Sequence, residues 1–283
     1  MKTDDAQATV LVVGGTGTTG RRVAARLTDL GIPVRIGTRS AHPRFDWDDP
    51  DTWAPALEGV AAAYLTYAPD LGLPEAAGRI GRFAELARGR GVRRLVLLAG
   101  RGQHGHAPAE RALQESDLEW TVARSAWFAQ NFSEGFLADQ VATGTVAAPA
   151  GDAVEAFIDA GDLADVVVAA LTEDGHSGRI YELTGPRLLG FADAAAEISR
   201  ARGDEVTYLP MTDAEFTEAL AADGTPAALT GALREVFAEL RSGDNASTTG
   251  DVERVLGRPP RDFAAFAAAA AADGAWSAAA IPS

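Results

Sequence analysis

The chain has no cysteine and a single lysine, Lys2. The first absence removes disulfides, thiolate metal sites and cysteine nucleophiles. The second removes a phosphate-loop lysine, a Schiff-base lysine and a lysine-assisted proton relay. Also missing is any run of about 18 apolar residues, the length a membrane-spanning helix requires. The first eight residues are polar and acidic, without the basic start and apolar stretch of a signal peptide, so a cytoplasmic location is expected. Positive charge is scarce: 25 basic residues face 40 acidic ones, for a net charge of −15. Such a surface repels phosphate backbones, so nucleic acid is not an expected partner, and nothing in the sequence calls for a membrane. The densest basic run, Arg88, Arg90, Arg93 and Arg94, reads as a solvated helix end entering a strand. No metal-ligand spacing stands out, since His104 and His106 have no nearby third ligand in sequence.

What is present is an alternation of strands and helices. Thr9 to Val13 is a β-branched run that ends in glycines, and Arg21 to Leu30 carries Val23, Ala24, Leu27 and Leu30 at helical spacing. Val34 to Gly37 is the second strand, Phe45-Asp46-Trp47 the end of a third, and Pro50 to Leu57 a short helix. Ala62 to Thr66, Arg94 to Ala99, Trp120 to Ala123 and Arg179 to Leu183 are further strands. Helices are predicted over Leu73 to Arg88, Ala109 to Ser116, Phe128 to Ala138 and Asp162 to Leu171. This is the pattern of βαβ units and a doubly wound parallel sheet. After Gly185-Pro186 the chain reads as mostly helical, with one strand at Val206 to Leu209 and an alanine-rich helix over Phe263 to Ala272. The expected division is therefore a dinucleotide-binding domain over 8–185, with sheet contributions from 156–183, and a helical lobe over 186–283.

Gly14, Gly17 and Gly20 follow the first strand and open the first helix. In that setting one glycine permits the tight turn, one lets a pyrophosphate approach the backbone, and one allows close helix–strand packing. The helix N-terminus offers amides and a positive dipole to phosphate, and Thr16, Thr18 and Thr19 add hydroxyls. At the end of the second strand an acidic residue would hold the ribose hydroxyls of NADH. This chain has Thr38-Arg39-Ser40 there, and a guanidinium beside a hydroxyl suits a 2′-phosphate. NADP(H) is therefore favoured over NAD(H), with Arg44 a second candidate contact. Further cofactor contacts are expected near the later strand ends, at Asp46 and Trp47, Thr66 and Tyr67, and Ala99 and Gly100.

The glycine turn, Arg39, the Phe45-Asp46-Trp47-Asp48-Asp49-Pro50 segment and a later pattern occur together. That pattern places Glu110, Leu113, Ser116, Thr121, Arg124, Phe128, Asn131 and Phe132 at fixed spacing. The combination resembles the NmrA-like group of atypical short-chain dehydrogenases/reductases. That group includes bacterial quinone and triphenylmethane-dye reductases, NAD(P)H azoreductases and a fungal nitrogen regulator. The resemblance implies a Rossmann core, a smaller helical C-terminal lobe, and a ligand in the cleft between them.

Ordinary members of the superfamily use Tyr-x-x-x-Lys. In some atypical members a glutamate follows that lysine by four positions, and counting back from Glu110 places His106 and Gly102 where lysine and tyrosine would stand. The candidate catalytic residues are thus His106, His104 and Asn131. The resemblance also suggests that Trp127, Phe128 and Asn131 line a substrate pocket, where aromatic rings stack on a flat acceptor and an amide meets its carbonyl.

The expected function is an NADPH-dependent reductase of a small conjugated or carbonyl-bearing electrophile: a quinone, enone, imine or azo compound. Hydride transfer to such an acceptor needs chiefly proximity, orientation and charge stabilisation. Two alternatives stand beside it. One is an NADP(H)-binding redox sensor acting through a protein partner, and the other a non-redox isomerase or cyclase on the same scaffold. The expected partner is a small-molecule substrate, with room for a homodimer.

Overall fold

The computed structural model describes residues 9–277; Lys2 and Ala8, the first residue of the expected domain, lie outside that range, as do 278–283. In chain order the early elements are β1 (Thr9–Val13), α1 (Gly20–Asp29), β2 (Val34–Gly37), α2 (Trp53–Ala56), β3 (Val60–Leu65), α3 (Ala76–Gly89), β4 (Arg94–Gly100), α4 (Ala107–Gln114) and β5 (Glu119–Ser125). Next come α5 (Ala138–Thr143), β6 (Thr145–Ala148), β7 (Val154–Glu155), α6 (Ala160–Thr172), β8 (Arg179–Leu183) and β9 (Leu189–Gly190). The chain ends with α7 (Phe191–Arg202), β10 (Thr207–Pro210), α8 (Asp213–Ala222), α9 (Ala227–Ser242), α10 (Asp251–Leu256) and α11 (Phe263–Ala272).

These elements form two compact units, and the chain passes between them more than once. The first holds residues up to Ser125 together with Ala160–Leu183 and Asp251–Gly257; the second holds Ala126–Asp159, Thr184–Gly250 and the chain from Arg258 onward. The units are therefore not the two consecutive stretches 8–185 and 186–283. The physical reason is that α6 and β8 complete the parallel layer of the first unit, whereas 126–159 packs around aromatic side chains of the second.

In the first unit six strands pair in the order β2-β1-β3-β4-β5-β8, all parallel. The order reverses at β1, whose neighbours are β2 and β3, and such reversals are where ligands of open α/β sheets bind. Successive residues point to opposite faces of the sheet. Leu11, Val13, Ala63, Leu65, Leu95 and Leu97 accordingly pack with Ile80 and Phe83 of α3 and Leu113 of α4. On the alternate face α6 lies against β3, β4 and β5 and packs on α1.

The third strand expected at Phe45-Asp46-Trp47 does not form. Side chains, not a ladder, occupy the backbone groups there. Trp53 Nε1 donates to the Asp46 carbonyl at 2.8 Å, and the Asp46 amide donates to Thr52 Oγ1 at 3.0 Å. Phe45 and Trp47 instead enter an edge-to-face cluster with Trp53 and Phe83. The helix expected over Phe128 to Ala138 is also different. Ala129–Phe132 is a single 3-10 turn, and α5 starts only at Ala138. Gly135 explains the break: a Cβ there would stand 2.9 Å from Asn131 Cα, so the chain reverses tightly at that point.

The second unit is organised around Phe132, fully buried against the rings of Phe157, Phe191 and Phe263. The Phe132 carbonyl accepts a hydrogen bond from Trp276 Nε1 at 2.7 Å. The alanine-rich α11 forms as expected, with Asp262 capping its start and Phe263, Phe266, Ala267 and Ala270 along its buried stripe. Among the described residues no helix is long and apolar enough to cross a membrane.

Because Phe132 has three ring partners and no exposed surface, Phe132→Ala should lower the free energy of unfolding by about 3–5 kcal/mol. Urea titration followed by tryptophan fluorescence measures this, and a loss below about 1 kcal/mol would contradict the assignment.

Candidate dinucleotide site and the edge of the parallel sheet

The turn between β1 and α1 leaves no room for side chains at two of its glycines. Gly14 has φ +70°, and a Cβ there would lie 2.2 Å from Thr66 Oγ1. A Cβ on Gly20 would lie 2.2 Å from the Gly14 carbonyl oxygen. The turn is anchored on both flanks: the Gly14 amide donates to the Gly37 carbonyl at 2.9 Å, and Thr66 Oγ1 donates to the Val13 carbonyl at 3.1 Å. Three strand ends thus meet at the reversal of strand order.

Thr16 and Gly17 are exposed on this turn, and Thr18 is half-buried. Thr19 differs. It is buried, and its hydroxyl accepts from the phenol of Tyr64 at 3.0 Å. Burial pushes that phenol far above its ordinary pKa, so Tyr64 is a fixed hydrogen-bond donor in the core. Thr19 occupies the N-cap position of α1 yet makes no side-chain capping bond. The amides of Arg21, Arg22 and Val23 donate instead to the Gly17 and Thr19 carbonyls at 3.0–3.1 Å, so what the start of α1 offers an anion is the positive end of the helix dipole.

Past β2, Arg39 and Ser40 are exposed, and among the described residues Arg39 has no hydrogen bond or ion pair. The loop that carries them closes where the Phe45 amide donates to the Thr38 carbonyl at 2.9 Å. Arg44 is committed elsewhere: it contacts Asp46 at 2.6 Å and Asp49 at 3.7 Å. The backbone amide of Asp48 and the Arg44 guanidinium hold the Asp46 carboxyl below the usual range. An unpaired guanidinium at the end of β2, with no carboxylate at positions 38–40, fits a cofactor with a 2′-phosphate.

The other expected contacts are more enclosed. Trp47 is buried, and its indole donates to the Thr66 carbonyl at 2.9 Å. Tyr67 packs on Trp47 and accepts from Arg79 at 2.9 Å, while burial raises its pKa. Ala99 is buried and Gly100 half-buried at the end of β4.

His104 is exposed, whereas His106 is buried. The Gly100 amide donates to His106 Nδ1 at 2.9 Å, and Nε2 lies 3.5 Å from Asp70 Oδ1. Asp70 also accepts from the Gly72 amide at 2.7 Å, and contact with His106 is the main reason its carboxyl sits below the ordinary range.

Beside this lies a set of ion pairs that sequence reasoning did not assign. Arg124 of β5 forms a bidentate pair with Glu110 of α4, at 2.9 and 2.6 Å, and reaches Glu182 of β8 at 2.9 Å. Arg101 joins from the end of β4, 3.2 Å from Glu182. Arg124 and Glu182 are direct partners in the parallel register, which is why they meet. Glu110 is only 3% exposed and pairs with that guanidinium, and the pairing holds Arg124 firmly protonated. Two signals were available: Glu110 and Arg124 share the spaced pattern that carries the resemblance, and Glu110 falls on the apolar stripe of α4, beside Ala109 and Leu113. Nothing in the sequence marked Asp70.

In the second unit Trp127 is half-buried, its ring 5.1 Å from Phe237, 5.8 Å from Phe191 and 6.3 Å from the exposed Phe136. Phe128 is half-buried and bridges to Ile158. Asn131 is half-buried too, and among the described residues its side-chain amide makes no hydrogen bond.

Fold and turn together define a Rossmann-type nicotinamide-dinucleotide-binding protein. The comparison with known proteins makes this specific. A family model described as NAD(P)H-binding matches residues 14–174, and the chain belongs to that family. An uncharacterized oxidoreductase of Bacillus subtilis, YesF, is 33% identical over 93% of this chain and 95% of its own length. The NAD(P)H azoreductase of Xenophilus azovorans is 32% identical, covering 93% of this chain and 98% of its own. Among solved structures, the NADPH-dependent quinone oxidoreductase QOR2 of Escherichia coli, complexed with NADPH, superposes with a TM-score of 0.78. That match covers 92% of this chain and 99% of QOR2 at 22% identity, a likeness of fold.

Asp46 and Asp70 both have depressed pKa values in the folded state. A depressed carboxyl contributes stability above its unfolded value, about 3.9, and loses it as pH falls through the folded value. Thermal midpoints should therefore hold near neutrality and fall increasingly below about pH 4. Asp70→Asn should show a smaller drop than the wild type between about pH 6 and about pH 3. An equal drop in both would contradict the Asp70 assignment.

Proposed function

We propose that this protein transfers a hydride from NADPH to a small conjugated or carbonyl-bearing electrophile of the quinone, enone, imine or azo type, without a Tyr-x-x-x-Lys relay. The observation that carries the reading is the tightly packed glycine turn of an NAD(P)H-binding family member, in a chain whose one lysine is Lys2. The named activities of the relatives, oxidoreductase and azoreductase, support the same class.

Bound NADPH supplies the hydride. The protein supplies position and charge. Thr16, Thr18 and Gly20 offer hydroxyl and backbone groups to the pyrophosphate, on a close-approach turn that Gly14 and Gly17 shape. Arg39, with Ser40 beside it, pairs with the 2′-phosphate and sets the preference for NADPH over NADH. Trp127 and Phe128 present ring surface to a flat acceptor, and the uncommitted amide of Asn131 hydrogen-bonds its carbonyl or nitrogen. An acceptor of this kind takes its proton from water or a weak acid, so no phenol–ammonium pair is required.

Purified protein should oxidise NADPH when given quinones, azo dyes, activated enones or iminium salts. Tight NADPH binding with no turnover across such a panel would overturn the reductase reading. Loss of a charge-assisted contact to phosphate costs on the order of ten- to a hundred-fold in affinity. Arg39→Ala should therefore raise KM for NADPH by that factor and leave KM for NADH nearly unchanged. An equal effect on both cofactors would remove Arg39 from the 2′-phosphate.

A further inference from the structure

We infer that His106 is a positioning residue, a neutral imidazole that stands in for a missing strand at the cofactor end of β4, and not the proton donor of the reaction. The inference rests on the reductase reading only for its kinetic test. Its basis is the way β4 ends. The β3–β4 ladder stops at Leu65 and Leu97, whereas the β4–β5 ladder continues to Gly100 and Ser125. β4 therefore runs three residues beyond its partner on one side. A backbone amide on that uncovered side must find another acceptor or go unsatisfied.

His106 fills the gap. The Gly100 N–H donates to Nδ1 at 2.9 Å, which requires a lone pair on that nitrogen and places the ring proton on Nε2. Nε2 faces Asp70 Oδ1 at 3.5 Å, an acceptor. Asp70 in turn holds the loop after β3 through the Gly72 amide at 2.7 Å. The two loops approach through glycines. A Cβ on Gly72 would stand 3.6 Å from both the Gly105 carbonyl carbon and the His106 ring, and one on Gly105 would stand 3.6 Å from Gly72 Cα. The imidazole thus ties the end of β4 to the segment that leaves β3, next to the reversal of strand order.

This arrangement opposes a role in proton donation. Nε2 lies 3.5 Å from a carboxylate oxygen, and the residue is 7% exposed. A second proton on Nδ1 would displace the Gly100 amide. His106 therefore acts through Gly100: it fixes the backbone against which the cofactor is held.

The test uses the intact protein and three variants. An Asn side chain can accept from the Gly100 amide as Nδ1 does but cannot serve as a general acid. His106→Ala should weaken NADPH binding and raise its KM about five-fold, the effect of one lost hydrogen bond, with the shape of the kcat–pH profile preserved. His106→Asn should restore most of that KM, and His106→Gln, whose longer side chain misplaces the acceptor, should not. In the unmodified protein near neutral pH, the imidazole nitrogen NMR spectrum should show a protonated Nε2 and a bare Nδ1. The inference is overturned if Asn fails to rescue and the Ala and Asn variants both lose kcat along with a limb of the pH profile, which is the behaviour of a general acid. It is equally overturned by an imidazolium or by the Nδ1–H tautomer. The nitrogen spectrum and NADPH fluorescence titration decide the matter even if no acceptor is ever turned over or a variant does not fold. Failure of the clamp is thereby distinguishable from failure of the reductase reading.

Discussion

A carbonyl oxygen and a missing side chain set the geometry of the first unit. The Gly14 carbonyl occupies the space a Cβ at position 20 would need, and Gly14 itself sits against Thr66 with no room for a side chain of its own. Two close approaches of backbone therefore bring the ends of β1 and β3 and the start of α1 together. Everything that could hold a dinucleotide follows from that convergence. The helix start has no side-chain cap, Arg39 stands unpaired beyond the adjacent β2, and the end of β4 is fixed by an imidazole. The rigidity costs sequence freedom at the glycines, but fixes the positive end of α1 at the strand ends, with the turn held by the Gly14 and Gly17 amides donating to the Gly37 and Gly14 carbonyls.

Charge is handled differently at the two ends of this surface. Arg39 makes no hydrogen bond or ion pair among the described residues and feels Asp46 only through space, so its guanidinium is available to a phosphate. Arg124 and Arg101 are compensated by Glu110 and Glu182, a paired network across α4, β5, β8 and the end of β4. Removing one partner from such a network leaves a buried charge, so its members brace the edge and are poor candidates for ligand contacts. The chain has an arginine in each environment, and only the structure distinguishes them.

Much of the fold was legible because it rests on local signals. β2, β8 and α11 fall where hydrophobic pattern and alanine content put them, and β1 ends at the glycines that define the turn. Two segments were misread because close contacts there override local pattern, side chains in one case and backbone in the other. At Phe45-Trp47 indole donors and an aromatic cluster replace a ladder, and at Gly135 a backbone reversal ends a turn that periodicity would have continued as helix. The candidate site was legible in part. Its glycines and Arg39 follow from spacing, but the burial of Thr19, Trp47 and Tyr67 depends on neighbours far along the chain. His106 was singled out for its chemistry, yet its partners, a backbone amide and Asp70, leave no trace in sequence spacing.

The central claim is that the nicotinamide hydride reaches a small acceptor on this protein. Isotope transfer tests it most directly. NADPH carrying deuterium at the transferable C4 position is mixed with the protein and a reducible quinone or imine, and the product is analysed by mass spectrometry. The account predicts deuterium delivered to an imine carbon, with no carbon-bound label found when solvent alone is deuterated, and stoichiometric loss of label from the cofactor with a quinone. Label that stays on NADPH in the presence of bound cofactor and excess acceptor would contradict it.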